Sequence, residues 1–507
     1  MNSHDQLFEL IKSLSKSEKG YFKKISSVHI KGKRNNYLLL FDAIDKMDKY
    51  DERILKKNLH GKITSQLSFL KHYLYHQLLE ALDQYYQSSN VEINKLICKI
   101  EILHKKGLVG QGRKLLDKAM EFAGKKEKFS YLLHLTSLRY EFLADEENKE
   151  RIQLEREVLN NNLKDLRKKI DNLYEYYQLR IELNQLQAAI GYARNEEQVL
   201  KYKSLLQHPL LASESVPLSG SAKYHFYTLR AIIQNSGHEY EAAYASLQKT
   251  ETLFHEYPAL FEESVSARIK TLQRKSITAS TLGRFDLSMK DIDQMRSLKA
   301  VHEKYRALIF QYGFHQEFLI YLLTGKFQAL IERVPAFYEE YQLHGRSIGK
   351  TFELQMLQRI GQACFIEGKF EDAMSWINRA INTTPSSFLA DVVNGIKIDE
   401  ILTHYELGNL RIVRSKIAAA EKYLRLKNKS YAFEMFLLSF LKKLIKIKTE
   451  QEKKQAWKKA QAFMTTHFNS HQDALPVKYF YINGWIESKV KNASLSGILR
   501  KQVKKSQ

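Results

Sequence analysis

Residues 368 to 385 read GKFEDAMSWINRAINTTP. A glycine opens the stretch, Ala373, Ile377 and Ala380 recur behind it at helical spacing, and a proline closes it. That is the pattern of a left-handed turn feeding an amphipathic helix that then stops. The same punctuation recurs outward in both directions, as YELGNL at Gly408, LLTGKF at Gly325, STLGRF at Gly283 and NSGHEY at Gly237. The glycines are 46, 42, 43 and 40 residues apart. Self-similarity at such a period marks stacked supersecondary units, so each glycine is expected to end one helix in a left-handed turn and start the next.

With Gly368 placed in the turn between two helices, Leu357, Ile360, Gly361 and Cys364 lie on the first helix and Ala373, Ile377, Ala380 and Pro385 on or after the second. These residues resemble the packing positions of the tetratricopeptide repeat family, whose unit is a helix-turn-helix. Weaker copies carry Gly112, Leu116 and Ala119 after Gly107, Ala243, Leu247 and Pro258 after Gly237, Ser288 and Ile292 after Gly283, and Val413, Ile417 and Ala420 after Gly408. The chain also resembles uncharacterised bacterial repeat proteins with the same helical start. The resemblance is fullest over residues 221–430 and implies an all-α fold, an α-solenoid. Two departures stand out. The period exceeds the family's, and Pro335 falls inside the second helix after Gly325, where it is expected to kink or shorten that helix.

The 507 residues contain 6 Pro and 21 Gly, too few for an all-β chain of this size. The two cysteines, Cys98 and Cys364, make no disulfide framework, residues 1–20 lack the profile of a secretory signal, and no apolar run is long enough for a membrane span. A cytoplasmic protein is the expectation. Net charge is +23, and it is concentrated. Lys+Arg against Asp+Glu is 17 against 11 over residues 1–100, 41 against 39 over 101–400 and 22 against 7 over 401–507. The middle of the chain therefore reads as neutral and the C-terminal fifth as basic.

Four regions follow: an N-terminal helical region, 1–95; helical repeats with a long helical hairpin, 96–206; TPR-like repeats, 221–430; and basic C-terminal helices with a tail, 431–507. The heptad-spaced Leu159, Leu163, Leu166, Ile170, Leu173 and Tyr177 suit an antiparallel helix pair inside the solenoid, with a coiled-coil dimer as the alternative, and the Pro- and Ser-rich residues 207–221 form a break or a long loop.

No reaction chemistry is legible. Gly107-LVGQ-Gly112-Arg113-Lys114 lacks the Ser or Thr and the preceding strand of a phosphate loop. His72 and His76 stand one helical turn apart without a third ligand, and no serine elbow or Cys–His motif occurs. A non-enzymatic chain with no cofactor and no metal is the expectation. Residues 55–74 have the outline of a DNA-reading helix-turn-helix presenting Ser65, Gln66, Ser68 and Lys71. Arg411, Arg414, Lys422, Arg425 and Lys429 fall within about 80° of one another on a single helix, a basic stripe opposite Val413, Ile417, Ala420 and Leu424. Lysines at 442–459, Trp457 and Tyr479 extend it toward an acidic or nucleic-acid partner.

The resemblance implies a protein or peptide partner in the concave surface made by first helices. By the family's groove positions, that surface is lined by Tyr312, His315, Leu319 and Leu322 in one unit and by Gln355, Gln358, Gln362 and Phe365 in the next. It lacks the Lys and Asn arrangement with which chaperone-binding members clamp a terminal carboxylate. A protein-interaction scaffold is thus the leading expectation. The alternative is a nucleic-acid-associated regulator that uses the N-terminal helices or the basic C-terminal surface.

Overall fold

A computed structural model describes residues 5–28, 36–59, 62–86, 88–190, 193, 195–300, 302–344, 348–383, 390–426, 432–467 and 476–506. Among them every regular element is helical. The contacts divide the chain into two compact units, Met1–Leu166 and Arg167–Gln507.

The first unit opens with α1 (Gln6–Ser13), α2 (Lys16–Val28), α3 (Asn36–Asp45), α4 (Glu52–Asn58), α5 (Lys62–Ser65) and α6 (Leu67–Tyr86). Leu7, Ile11, Phe22, Leu40, Phe41, Ile44, Leu55, Leu70, Leu74 and Leu78 close their own core. Then α7 (Ser89–Lys105), α8 (Val109–Lys125) and α9 (Phe129–Ala144) pack around Ile93, Ile100, Leu116, Ala119 and Phe142. Gly112 allows this approach, because a Cβ there would stand 2.5 Å from the Phe142 ring. The glycine-rich 107–112 stretch is packing. α10 (Lys149–Ile190) is one 42-residue helix, of which residues 167–190 belong to the second unit.

That unit continues with α11 (Glu196–Leu205) and a 3-10 turn at Pro209–Leu211. Residues 207–221 form a packed loop: Leu210 and Leu211 are buried, Tyr176 Oη donates to the Leu210 carbonyl at 2.7 Å, and Asn172 Oδ1 accepts from Leu218 N at 2.9 Å. Antiparallel pairs follow. α12 (Gly220–Ser236) pairs with α13 (Tyr240–Glu256), and after the short α14 (Pro258–Phe261) come α15 (Val265–Thr281) with α16 (Phe285–Arg296), α17 (Glu303–Leu323) with α18 (Phe327–His344), α19 (Lys350–Ile366) with α20 (Phe370–Thr383), and α21 (Ala390–Glu406) with α22 (Leu410–Leu426). Each pair is the TPR-like helix-turn-helix unit. First helices also meet in sequence, α15 with α17, α17 with α19 and α19 with α21, so they share one face.

The turns obey one rule. Gly283, Gly325, Gly368 and Gly408 have φ between 73° and 76°, and the next residue's N–H reaches the carbonyl five positions back, as Lys369 N does to Cys364 O at 2.9 Å. Gly237 departs from the expectation. Its φ is −87°, and His238 takes the left-handed place at φ 64°, with Glu239 N donating to Gln234 O at 2.7 Å. Gly237 is instead a close-approach position, where a Cβ would meet Ile233 O at 3.2 Å.

Pro335 does not shorten its helix, since α18 runs 18 residues through it. The proline is exposed, while Phe327, Leu330 and Phe337 bury the opposite face and outweigh the lost backbone bond, worth roughly 3 kcal/mol. Trp376 stacks on Tyr338 with ring centroids 5.8 Å apart, so it packs between neighbouring second helices.

The C-terminal helices α23 (Ala432–Leu444), α24 (Glu450–His467), α25 (Pro476–Lys491) and α26 (Leu495–Ser506) fold back onto the stack. Trp485 is buried and donates through Nε1 to Glu406 at 2.6 Å, and Arg500 donates to the Gly325 carbonyl at 3.3 Å and to Glu367. The end of the chain is therefore docked helix rather than free tail.

Candidate functional site

The first-helix face of the second unit gathers most of the residues expected to line a groove. On α17 the half-buried His315 faces α19, where Arg359 donates through Nη2 to His315 Nε2 at 3.0 Å and through Nη1 to the His315 carbonyl. Burial, the Arg359 charge second, holds His315 well below its ordinary value although Gln355 hydrogen-bonds to it, so the ring is neutral and accepts at Nε2. Burial also lowers the Arg359 guanidinium to about 9, which still leaves it charged. Gln358 and Gln362 donate at 2.7 and 3.0 Å to Asp399 Oδ2 on α21, and the Tyr481 hydroxyl of α25 binds the other oxygen. This end of the face is closed by the chain's own α25. Tyr312 and Leu319 are half-buried. Leu322 and Phe365 are not surface positions: both lie in the core, and Phe365 packs edge-on against Phe370 and Tyr481. They stand near the C-terminal ends of α17 and α19, and Phe370 of α20 and Tyr481 of α25 cover Phe365.

Toward the other end the face is cationic. Burial and then the Arg274 charge lower Arg180 on α10, burial and then the charges of Arg274, Arg180 and Lys304 lower Lys270 on α15, and burial lowers Arg274 itself. Among the described residues no carboxylate figures among their partners. Arg274 has the hydroxyls of Tyr224 and Tyr312 beside it and hydrogen-bonds to Tyr224. His225 packs edge-on against Tyr177 with centroids 4.9 Å apart, and burial together with Arg180 lowers it to about 4.

The reason lies in the distribution of charge by helix. α12 and α15 contain no Asp or Glu, whereas α13 carries Glu241, Glu251 and Glu256 and α16 carries Asp286, Asp291 and Asp293. Within the stretch that reads as neutral when summed over hundreds of residues, the two pairs α12–α13 and α15–α16 are segregated, with acid confined to the second helices. Counting by helix finds Lys270 and Arg274, which counting by window hides; Arg180 sits on the charge-mixed α10 and neither count reveals it.

On α22, Arg411, Arg414 and Lys422 are exposed and Val413, Ile417, Ala420 and Leu424 are buried. The Arg425 side chain and Lys429 lie outside the described residues, as do Pro385 and the Tyr479 side chain. Trp457 is no stacking platform: it is buried against Phe440 and Trp485 with centroids 5.0 and 4.9 Å away. In the N-terminal helices Lys71 is held by Asp5 and by the Tyr50 hydroxyl at 2.8 Å, which occupies one residue of the DNA-reading outline. His72 and His76 are exposed with rings 4.4 Å apart, and no group of three potential metal ligands occurs among the described residues. No described helix is long and apolar enough to cross a membrane.

No family model and no curated protein matches the chain. Among solved structures it is similar to the crystal structure of aspartyl phosphate phosphatase F from Bacillus subtilis, at 15% identity and a TM-score of 0.44, over 77% of this chain and 93% of that one.

Proposed function

We propose that the chain is a non-enzymatic, cytoplasmic interaction scaffold that holds a segment of a partner protein against the first-helix face of its second unit. The observation that carries this reading is the composition of that face. Tyr177, His225, Arg180, Arg274, Tyr312 and Gln355 present half-buried or exposed hydrogen-bonding and aromatic groups along successive first helices, an arrangement suited to an extended chain laid across them. The free thiols Cys98 and Cys364 accord with a reducing compartment.

A photo-crosslinking residue placed at Tyr312, on the first-helix face, and at the exposed Leu287 of α16, on a second helix, tests it. The expected result is a protein adduct at position 312 that survives nuclease and high salt, and none at 287. Exposed Arg411, Arg414 and Lys422 carry the competing regulator reading. It takes over if capture needs nucleic acid, fades steeply with salt and is abolished by Arg411→Glu with Arg414→Glu.

A further inference from the structure

The cationic end of the face is more selective than a scaffold requires. Among the described residues Arg180, Lys270 and Arg274 have no carboxylate partner, and the Arg180 Nη1 is buried without a hydrogen-bond acceptor. Other buried polar atoms left unpartnered lie on the same helices: Thr228 Oγ1 and Asn235 Oδ1 on α12, and Thr271 Oγ1 on α15. At 100° per residue Tyr224, Thr228, Ala231 and Asn235 share one side of α12, and Lys270, Thr271, Arg274 and Thr278 share one side of α15. Between these sides and α10 opens a cleft of about 330 Å³, lined by Gln187, Ala231, Asn235, Arg274 and Thr278 among others, with Arg180 outside the lining but within electrostatic reach of Arg274. The acids of α10 nearest Arg180, Glu175 and Glu182, are both exposed and turn about 140° and 160° away from it around the helix.

Unpaired guanidinium groups held in a recess are expensive to maintain without an anion. They also stand on separate helices, Arg180 on α10 and Arg274 on α15. A single phosphate would use cations converging on one point, and a phosphate backbone is met by cations standing out from a surface. Planar forks recessed among Tyr224, His225 and Tyr312 instead match carboxylates spaced along an extended chain.

We propose that the cleft between α10, α12 and α15 is a subsite for the Asp or Glu side chains of an acidic peptide segment, with Arg274 in its wall and Arg180 beside it as the groups that receive them. The subsite rests on the scaffold reading and narrows it to acidic partners.

The test uses the full chain and a fluorescein-labelled twelve-residue peptide of alternating Glu and Tyr, followed by anisotropy. The Glu peptide is expected to bind, and Arg180→Gln or Arg274→Gln to weaken it about tenfold or more, since each removes one partner of a recessed charge pair. Arg411→Gln is expected to leave it unchanged. Equal binding of a Gln and Tyr peptide, stronger binding of a phosphoserine and Tyr peptide, stronger binding of an oligothymidylate, or indifference to both arginine changes overturns the subsite. Removing a desolvated charge is also expected to leave the melting temperature of Arg274→Gln equal to or above that of the parent. A fall would make Arg274 a structural residue and equally overturn the assignment. If position 312 still crosslinks a protein while the acidic peptide ignores Arg180 and Arg274, the subsite fails and the scaffold stands. Loss of that crosslink removes the scaffold itself.

Discussion

His238 and Gly368 occupy the same place in two copies of one turn, and only one of them suits it. Gly368 has φ 76° and open space for 4 Å around the point where a Cβ would stand, so Gly368→Ala meets backbone strain alone and is expected to destabilise by about 1–2 kcal/mol. His238 already bears that strain at φ 64°, and its Nε2 is buried without a partner. His238→Gly is therefore expected to stabilise by about 1 kcal/mol, a rise of about 2–4 °C in thermal unfolding. A fall would mean that the stacking of His238 on Tyr240, centroids 5.9 Å apart, outweighs the strain. At His225 the effect is one of charge. Its pKa falls from 6.5 to about 4 on folding, so the unfolded chain binds the extra proton between these values. Its contribution to stability is lost as pH falls from about 6.5 toward about 4, and kept above. Histidine resonances followed by NMR across that window are expected to show His225 titrating last or near-last, and rising when the acidic peptide binds beside Arg180.

Pairs of helices are where the sequence is most legible. Gly368, Ala373, Ile377 and Ala380 read as packing, and each does its share: Ala373, Ile377 and Ala380 are buried, and Gly361 lets α20 approach to within 3.2 Å of where its Cβ would be. Small and large residues at helical spacing report directly on which face is covered, because that face must exclude water wherever the neighbour comes from. The groove is less legible for a matching reason. Whether Phe365 meets solvent depends on Tyr481 of α25, more than a hundred residues later in the chain, and no local pattern records that. The ion pairs within a helix pair are equally nonlocal. Lys275 on α15, 8% exposed, reaches Glu251 on α13 at 2.7 Å and Asp291 on α16 at 3.0 Å, binding three helices through one ammonium. Lys275→Met leaves Asp291 buried without its counter-charge and is expected to cost about 3–5 kcal/mol, readable as a lower urea midpoint for the second unit. Changing Lys275 and Asp291 together to Met and Leu is expected to recover much of the loss. No recovery would place the damage in packing rather than in charge.

Across the second unit, stability is a sum of helix pairs and the interfaces between neighbours, so each end needs a cap. At the C-terminal end α25 and α26 supply it. Tyr481 closes on Asp399, Trp485 and Lys489 bind Glu406, and Arg500 reaches back 175 residues to the Gly325 turn. Ending the chain after residue 470 removes these contacts together. Asp399 loses its tyrosine donor, Glu406 loses both the Lys489 ammonium and the indole N–H, and the apolar surface of Phe365, Leu402 and Tyr405 is uncovered. Because coupling in a stack runs chiefly through nearest neighbours, the loss is expected to fall off with distance from the cut. Amide exchange on the truncated chain should quicken most in α21 and α22, less in α19 and α20, and hardly in α12, α13, α15 and α16. Binding of the acidic peptide at Arg180 and Arg274 should persist, since those residues lie at the opposite end of the stack of pairs from the cap. Uniform loss of protection through α12 would show instead that the unit unfolds as one cooperative body, with the C-terminal helices supporting the cationic cleft as directly as its own walls do.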